Sequence, residues 1–174
     1  YGVSRTTVRQ AVLALTRDGL VYRKRGKGSF VCQPKIVQQL VTLRSFSEEI
    51  AILGFKPGTR LIRQGRVSAS QAVAQALKIP PGESVLEVVR LRLADEKELS
   101  VNRSYFAGRY AAILEGEDLG APSLYEVIEK AIGKIVRATE VISASSATQE
   151  DARLLKLRPG APLLRLERTT YITG

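Results

Sequence analysis

Gly2-Val3-Ser4-Arg5-Thr6-Thr7-Val8-Arg9-Gln10-Ala11 opens the stretch that decides how the first part of the chain folds. Ser4 is a good helix N-cap, and Val8, Ala11, Val12 and Leu15 follow at helical spacing. Gly19 then supplies the left-handed residue that commonly ends a helix. On a helical wheel the apolar stripe leaves Thr6, Arg9, Gln10 and Arg17 on the far side, with Arg5 on its flank. Leu13 also points outward, which predicts a further helix packed over it. Residues 20–22 and 29–31 read as two short strands. Between them Arg23-Lys24-Arg25-Gly26-Lys27-Gly28 makes a turn with two glycines and four cations. A helix presenting Arg, Thr and Gln can enter a DNA major groove, where Arg reads guanine and Gln reads adenine. The glycines let the turn approach closely while its cations meet phosphates or the minor groove. Together these features predict a helix-turn-helix with a wing.

The charge distribution points the same way. The 174 residues carry 27 Lys+Arg against 17 Asp+Glu, a net charge of +10. Residues 1–35 hold eight of the cations against Asp18 alone, a balance of +7, which leaves only +3 for the rest. A nucleic-acid-binding head on a near-neutral body has this profile, and double-stranded DNA is the expected polyanion. The plainer alternative is a basic terminal tail that aids solubility. There is no His, so Ser–His–Asp and Cys–His catalysis is excluded, as is any zinc site built on imidazole. No motif asks for a cofactor, a metal or a catalytic residue. The single Cys32 cannot form an internal disulfide, which predicts a reducing, cytoplasmic setting. No run of about 18 apolar residues is present to span a membrane.

Pro34 and the polar stretch to Gln39 predict a linker over 34–39. Beyond it the chain repeats itself at an offset of 78 residues. Gln71, Ala74, Leu77, Lys78, Pro81, Gly82, Leu86 and Arg90 match Gln149, Ala152, Leu155, Lys156, Pro159, Gly160, Leu164 and Arg168. Each copy reads as a polar cap, a short amphipathic helix (71–77, 149–155), a Pro-Gly turn and a strand (84–93, 162–171). Strand-like segments at 60–67 and 140–144 precede the two copies. Asp95-Glu96-Lys97-Glu98 reads as a hairpin turn into a returning strand over 99–106, and 46–53 and 124–131 read as helices. Two copies are too few for a solenoid, and they predict a pseudo-twofold α+β domain on one mostly antiparallel sheet.

The order Ser4-Arg5-Thr6-Thr7-Val8-Arg9-Gln10-Ala11, Asp18-Gly19-Leu20 and Gly26-Lys27-Gly28-Ser29-Phe30-Val31 resembles the winged-helix domain of the GntR family of bacterial transcription regulators. The resemblance implies that Arg5, Thr6, Thr7 and Arg9 contact bases and phosphates and that Gly26 enters the minor groove. Ser4, Gln10, Arg25 and Lys27 join them as candidate DNA contacts. Val89-Arg90-Leu91-Arg92-Leu93-Ala94-Asp95, Asn102-Arg103-Ser104-Tyr105, Ser123-Leu124-Tyr125 and Glu167-Arg168-Thr169-Thr170-Tyr171 resemble the UTRA effector-binding domain, which places the chain in the HutC branch. The fold so implied is α+β: a partial winged helix-turn-helix over 1–33, then a UTRA domain over 40–174. The latter is a chorismate lyase-like antiparallel sheet with flanking helices. The resemblance also implies one helix and most of a second ahead of Gly2, and about two further strands after Tyr171. Both ends are therefore expected to be clipped and the head incomplete.

In a strand, Arg90 and Arg92 share a face with Leu86 and Val88. Two guanidiniums on an otherwise apolar face need a partner, because buried unpaired charge is costly. An internal carboxylate such as Glu167 could serve, and so could an anionic ligand gripped by arginine. The family resemblance implies the ligand, lined by Phe46, Ser47, Arg90, Arg92, Ser123 and Tyr125, with free N–H groups at the start of the first UTRA helix. Asn102 stands where relatives responsive to sugar phosphates often carry Glu, so an amino-sugar phosphate preference does not transfer. Tyr110, Glu167 and Tyr171 are further candidate lining residues, with core packing the alternative for the tyrosines. The expected function is a dimeric repressor whose operator binding is modulated by a small anionic metabolite: a sugar phosphate, carboxylate or phosphonate. A chorismate lyase-like enzyme and a general nucleic-acid-coating protein are the alternatives, although no paired carboxylates show catalytic spacing.

Overall fold

The computed structural model describes residues 2–17, 20–31 and 44–173, with the backbone alone for Arg109. Contacts divide the chain into two compact units, Tyr1–Gln38 and Gln39–Gly174. The expected linker over 34–39 lies outside the described residues.

In the first unit, helix α1 (Arg5–Arg17) is followed by a hairpin of strands β1 (Val21–Lys24) and β2 (Gly28–Val31). Ser4 caps α1 as its position predicts, its Oγ accepting from the Thr7 amide at 3.1 Å. The hairpin reverses through Arg25-Gly26-Lys27, with Gly26 at φ 74° and Gly28 at φ 110°, conformations that a side chain would strain. Tyr22 and Phe30 stack across it at 5.4 Å. No residue of α1 is buried, and Val8, Leu13 and Leu15 are all exposed. Among the described residues nothing covers Leu13.

The second unit begins with α2 (Phe46–Ile52) and runs through β3 (Pro57–Ser68), α3 (Gln71–Leu77), β4 (Ser84–Ala94) and β5 (Lys97–Ala107). It continues with α4 (Gly108–Leu114), α5 (Leu124–Ala131), β6 (Ile135–Ser146), α6 (Gln149–Leu155) and β7 (Pro162–Ile172). Strands β3, β4 and β5 form an antiparallel sheet with β4 in the centre, and β6 and β7 form a separate antiparallel pair. The expectation of one continuous sheet is therefore corrected: among the described residues no ladder joins the two sets. The repeat duplicates the helix, turn and strand, and a local pattern carries no information on which edges pair at long range.

The repeat itself is a structural one. Ser70 and Thr148 cap α3 and α6, and Lys78 and Lys156 end them in the left-handed conformation at φ 56° and 55°. Gly82 donates to Ala69 O at 2.9 Å, and Gly160 donates to Ala147 O at 2.9 Å, 78 residues on. Central strand β4 is buried along nearly its whole length, as a strand covered on both faces must be. On one face Leu86 and Val88 pack with Ala111, Leu114, Leu119, Leu124 and Ile128, so α4 and α5 cover the side that also carries Arg90 and Arg92. On the other, Val85 packs with Ala69 and Ala74 beneath α3. Each buried Val, Leu or Ile side chain among them contributes about 1.5–3 kcal/mol. The β4–β5 turn is tighter than expected: Asp95 and Glu96 adopt φ 47° and 67°, and Lys97 already lies in β5.

Candidate functional site

The apolar period of β4 brings Arg90 and Arg92 inside, where they are 4 % and 1 % exposed. Neither forms an ion pair with a carboxylate among the described residues. Arg92 Nη2 instead donates to Ser47 Oγ at 3.0 Å and to Pro122 O at 2.8 Å, while its guanidinium lies 4.4 Å from the Phe46 ring centre. Arg90 Nη1 donates to Ala121 O at 3.2 Å. Arg90 Nε, Arg92 Nε and Arg92 Nη1 are buried and find no hydrogen-bond partner. Burial pushes the Arg90 pKa down to about 10; burial and the Arg90 charge do the same to Arg92. Both are still charged at neutral pH, so two unmet cations face the interior side by side.

The capping box at the start of α2, where Ser45 and Glu48 bond reciprocally, fixes Phe46 and Ser47 above Arg92. Asn102 is opposite Arg90 in the β4–β5 register, and its Oδ1 accepts from Ser100 Oγ at 3.1 Å. Phe46, Ser47, Arg90, Arg92 and Asn102 thus come together. Ser123 is next to Pro122, and its hydroxyl caps α5 by accepting from the Glu126 amide. It lines a hollow with Tyr125, Glu48, Glu126 and Glu129. Tyr125 Oη accepts from Arg168 at 2.9 Å. Tyr110 lies on α4. Glu167 does not reach Arg90 or Arg92; it pairs with Arg165 at 2.5 Å, and Tyr171 sits under the Arg137 guanidinium at 3.9 Å. The internal-carboxylate alternative for the arginine pair is therefore not realised through Glu167. The Ala121 and Pro122 carbonyls join the site as acceptors from the two arginines, and backbone acceptors leave no mark in a residue pattern.

In the first unit, Arg5 and Arg9 of α1 share a hollow with Val8, Val12, Arg23 and Ser29, so helix and hairpin present one cationic surface. The hairpin geometry adds Arg23 of the basic turn to the helix arginines. Thr6, Gln10, Arg25, Gly26 and Lys27 are exposed. Ser4 and Thr7 are exposed too, their hydroxyls bonded to each other at 2.9 Å.

Residues 53–174 match the UTRA domain. Residues 1–31 match the bacterial regulatory proteins of the gntR family. The chain belongs to the GntR family. It is 36 % identical over 173 residues to the HTH-type transcriptional repressor NagR of Bacillus subtilis, covering 99 % of this chain and 71 % of that protein. It is 26 % identical over 170 residues to the histidine utilization repressor of Pseudomonas putida, covering 98 % and 68 %. PhnF from Mycobacterium smegmatis superposes with a TM-score of 0.76 at 27 % identity, covering 98 % of this chain and 75 % of that one. This GntR protein, with its UTRA domain, falls in the HutC branch. It is a ligand-modulated, DNA-binding transcription regulator, and the lyase-like enzyme alternative is set aside. Among the described residues no helix is long and apolar enough to cross a membrane.

Proposed function

We propose that this regulator is a cytoplasmic, homodimeric repressor whose effector is a small anion bound by Arg90 and Arg92. The observation that carries the proposal is the arginine pair itself: two buried guanidiniums with unmet N–H groups and no carboxylate among the described residues to neutralise them. Burying such charges without a partner is costly, so an anion that supplies the acceptors binds with the protein's own deficit as driving force. Phe46, Ser47 and Asn102 complete this site, while Ser123, Tyr125, Tyr110, Glu167 and Tyr171 act at or beyond its rim. The DNA-binding domain spans 1–33, the linker 34–39 and the effector domain 40–174. Operator contacts come from Ser4, Arg5, Thr6, Thr7, Arg9, Gln10, Arg25, Gly26 and Lys27, joined by Arg23. The effector changes operator affinity by binding one placement of the two heads better than another.

Replacing Arg90 by Met tests the effector half: operator binding should persist while release by anionic metabolites is lost. Release at the wild-type concentration would remove the arginine pair from the effector site. Arg9→Ala tests the DNA half, with an expected cost of about 1–3 kcal/mol on the operator. An equal loss on random duplex would make Arg9 a phosphate contact instead.

A further inference from the structure

Two arginines from different strand sets grip the same two segments. Arg92 of β4 donates from Nη2 to Ser47 Oγ at 3.0 Å and to Pro122 O at 2.8 Å. Arg168 of β7 donates from Nη1 to Tyr125 Oη at 2.9 Å and to Arg44 O at 3.3 Å, while its Nε holds Glu140 of β6. One segment is therefore 44–47, which leads into α2 through its Ser45 cap. The other is 122–125, which leads into α5 through its Ser123 cap. Ser47 Oγ also donates to Pro122 O and joins the two segments directly. Among the described residues no ladder connects β3–β5 with β6–β7, so these bonds span the two strand sets. Packed contacts of this kind hold discrete arrangements: shifting one strand set against the other must break a bond or drag a segment.

We infer that Arg168 is the positioning residue that couples the effector site to the chain entering from the DNA-binding unit. The inference rests on the reading of Arg90 and Arg92 as the effector site. Gln39 opens the second unit, and Arg44 is the first of its described residues, so the chain coming from the head is held at the Arg44 carbonyl. That bond is the longest of the four made by Arg92 Nη2 and Arg168 Nη1, beyond the usual range of about 2.7–3.2 Å, and its donor is shared with Tyr125. An anion at Arg90 and Arg92 competes with Ser47 and Pro122 for the Arg92 donors. As the hold of Arg92 slackens, both segments are left to Arg168, and the division of its Nη1 between Tyr125 and Arg44 changes. Glu140, directly across the ladder, keeps the guanidinium in place meanwhile.

The test compares wild type, Arg168→Lys and Glu140→Gln in the full chain, with inorganic phosphate as the anion probe and chloride at matched ionic strength as the control. Calorimetry reads phosphate affinity, and fluorescence anisotropy reads operator affinity. Wild type should bind the operator at least about fivefold more weakly in phosphate, the lower end of ordinary coupling between two sites. Arg168→Lys keeps a cation opposite Glu140 but cannot span Tyr125 and Arg44 together. It should bind phosphate, and the operator in chloride, as wild type does, and lose the phosphate effect. Glu140→Gln leaves the grip on Tyr125 and Arg44 intact, so it should melt lower and yet keep that effect. A full phosphate effect in Arg168→Lys would overturn the coupling role. So would its loss in Glu140→Gln, which would make Arg168 a prop whose influence follows stability alone. A wild type that takes up no phosphate would remove the arginine site beneath the inference. Uptake with no change in operator affinity would leave that site standing and Arg168 without a coupling role.

Discussion

Arg90 and Arg168 occupy the same position in the two copies of the internal repeat, 78 residues apart, yet they meet opposite environments. Arg168 has Glu140 directly across the β6–β7 ladder and pairs with it, and it also donates to Tyr125 Oη at 2.9 Å and Arg44 O at 3.3 Å. Burial works against its charge, but Tyr125 and Glu140 outweigh burial and hold its pKa above the ordinary range. Arg90 has Leu61 across one ladder and Asn102 across the other, and burial pushes its pKa down to about 10. The repeat fixes where the guanidinium sits. The residue opposite decides whether it is a structural tie or a binding group in want of an acceptor.

If that is so, the two fates should be exchangeable. Leu61→Glu gives Arg90 the facing carboxylate that Arg168 already has, and Leu61 is 38 % exposed, so the new side chain has room. The variant should bind phosphate about a hundredfold more weakly, the cost of displacing a close charge partner. Unliganded, it should be more stable than wild type by about 1 kcal/mol. Calorimetric titration and urea denaturation read the two effects, and wild-type phosphate affinity would break the comparison. The reverse exchange is Glu140→Leu, which strips Arg168 of its acceptor. Breaking a buried pair costs about 3–5 kcal/mol. Here the side chains are 26 % and 16 % exposed, so a loss of about 2 kcal/mol is expected. Wild-type stability in that variant would show that Tyr125 and the Arg44 carbonyl suffice.

Much of this contrast could be read before any coordinates. The bounds of α3 and α6 follow from the polar caps and apolar spacing of the two repeat copies, and α5 spans the predicted 124–131. The inward face of Arg90 and Arg92 follows from the period of two along β4. Helix α4 could not be read, because it starts at Gly108 behind Ala107, which offers no side-chain cap. Strands β3 and β6 run longer than their patterns predict, and each carries a register shift, at 61/63 and 135/137, that upsets the alternation.

The smallest effect concerns how the two copies are tied together. Helix α6 of the second copy reaches the first copy's sheet through Arg103, whose Nη2 meets Glu150 and Asp151 at 2.8 Å each, and through Arg63, which joins Glu150 to Glu87. Hydrogen bonds from Arg103 and Arg63 hold the Glu150 pKa below its ordinary 4.5. Burial pushes Asp151 up, but Thr148 and Arg103 outweigh it and hold the group below 3.8. A carboxylate depressed in the folded state binds its proton more weakly there than in the unfolded chain. Its contribution is therefore complete above the unfolded pKa and is lost as pH falls through the lower folded value. Stability should be flat from pH 7 to about 5 and then fall. The clasp should account for about 1 kcal/mol of the drop, because both carboxylates keep some contact with water. Glu150→Gln with Asp151→Asn should make the slope below pH 5 shallower. It should not abolish the slope, because Glu115, lowered by Arg66, and Glu98, lowered by Lys156, titrate in the same window. An unchanged slope in urea midpoints measured from pH 7 to 3 would mean that α6 is held by its apolar contacts. The two copies would then be joined by packing and not by charge.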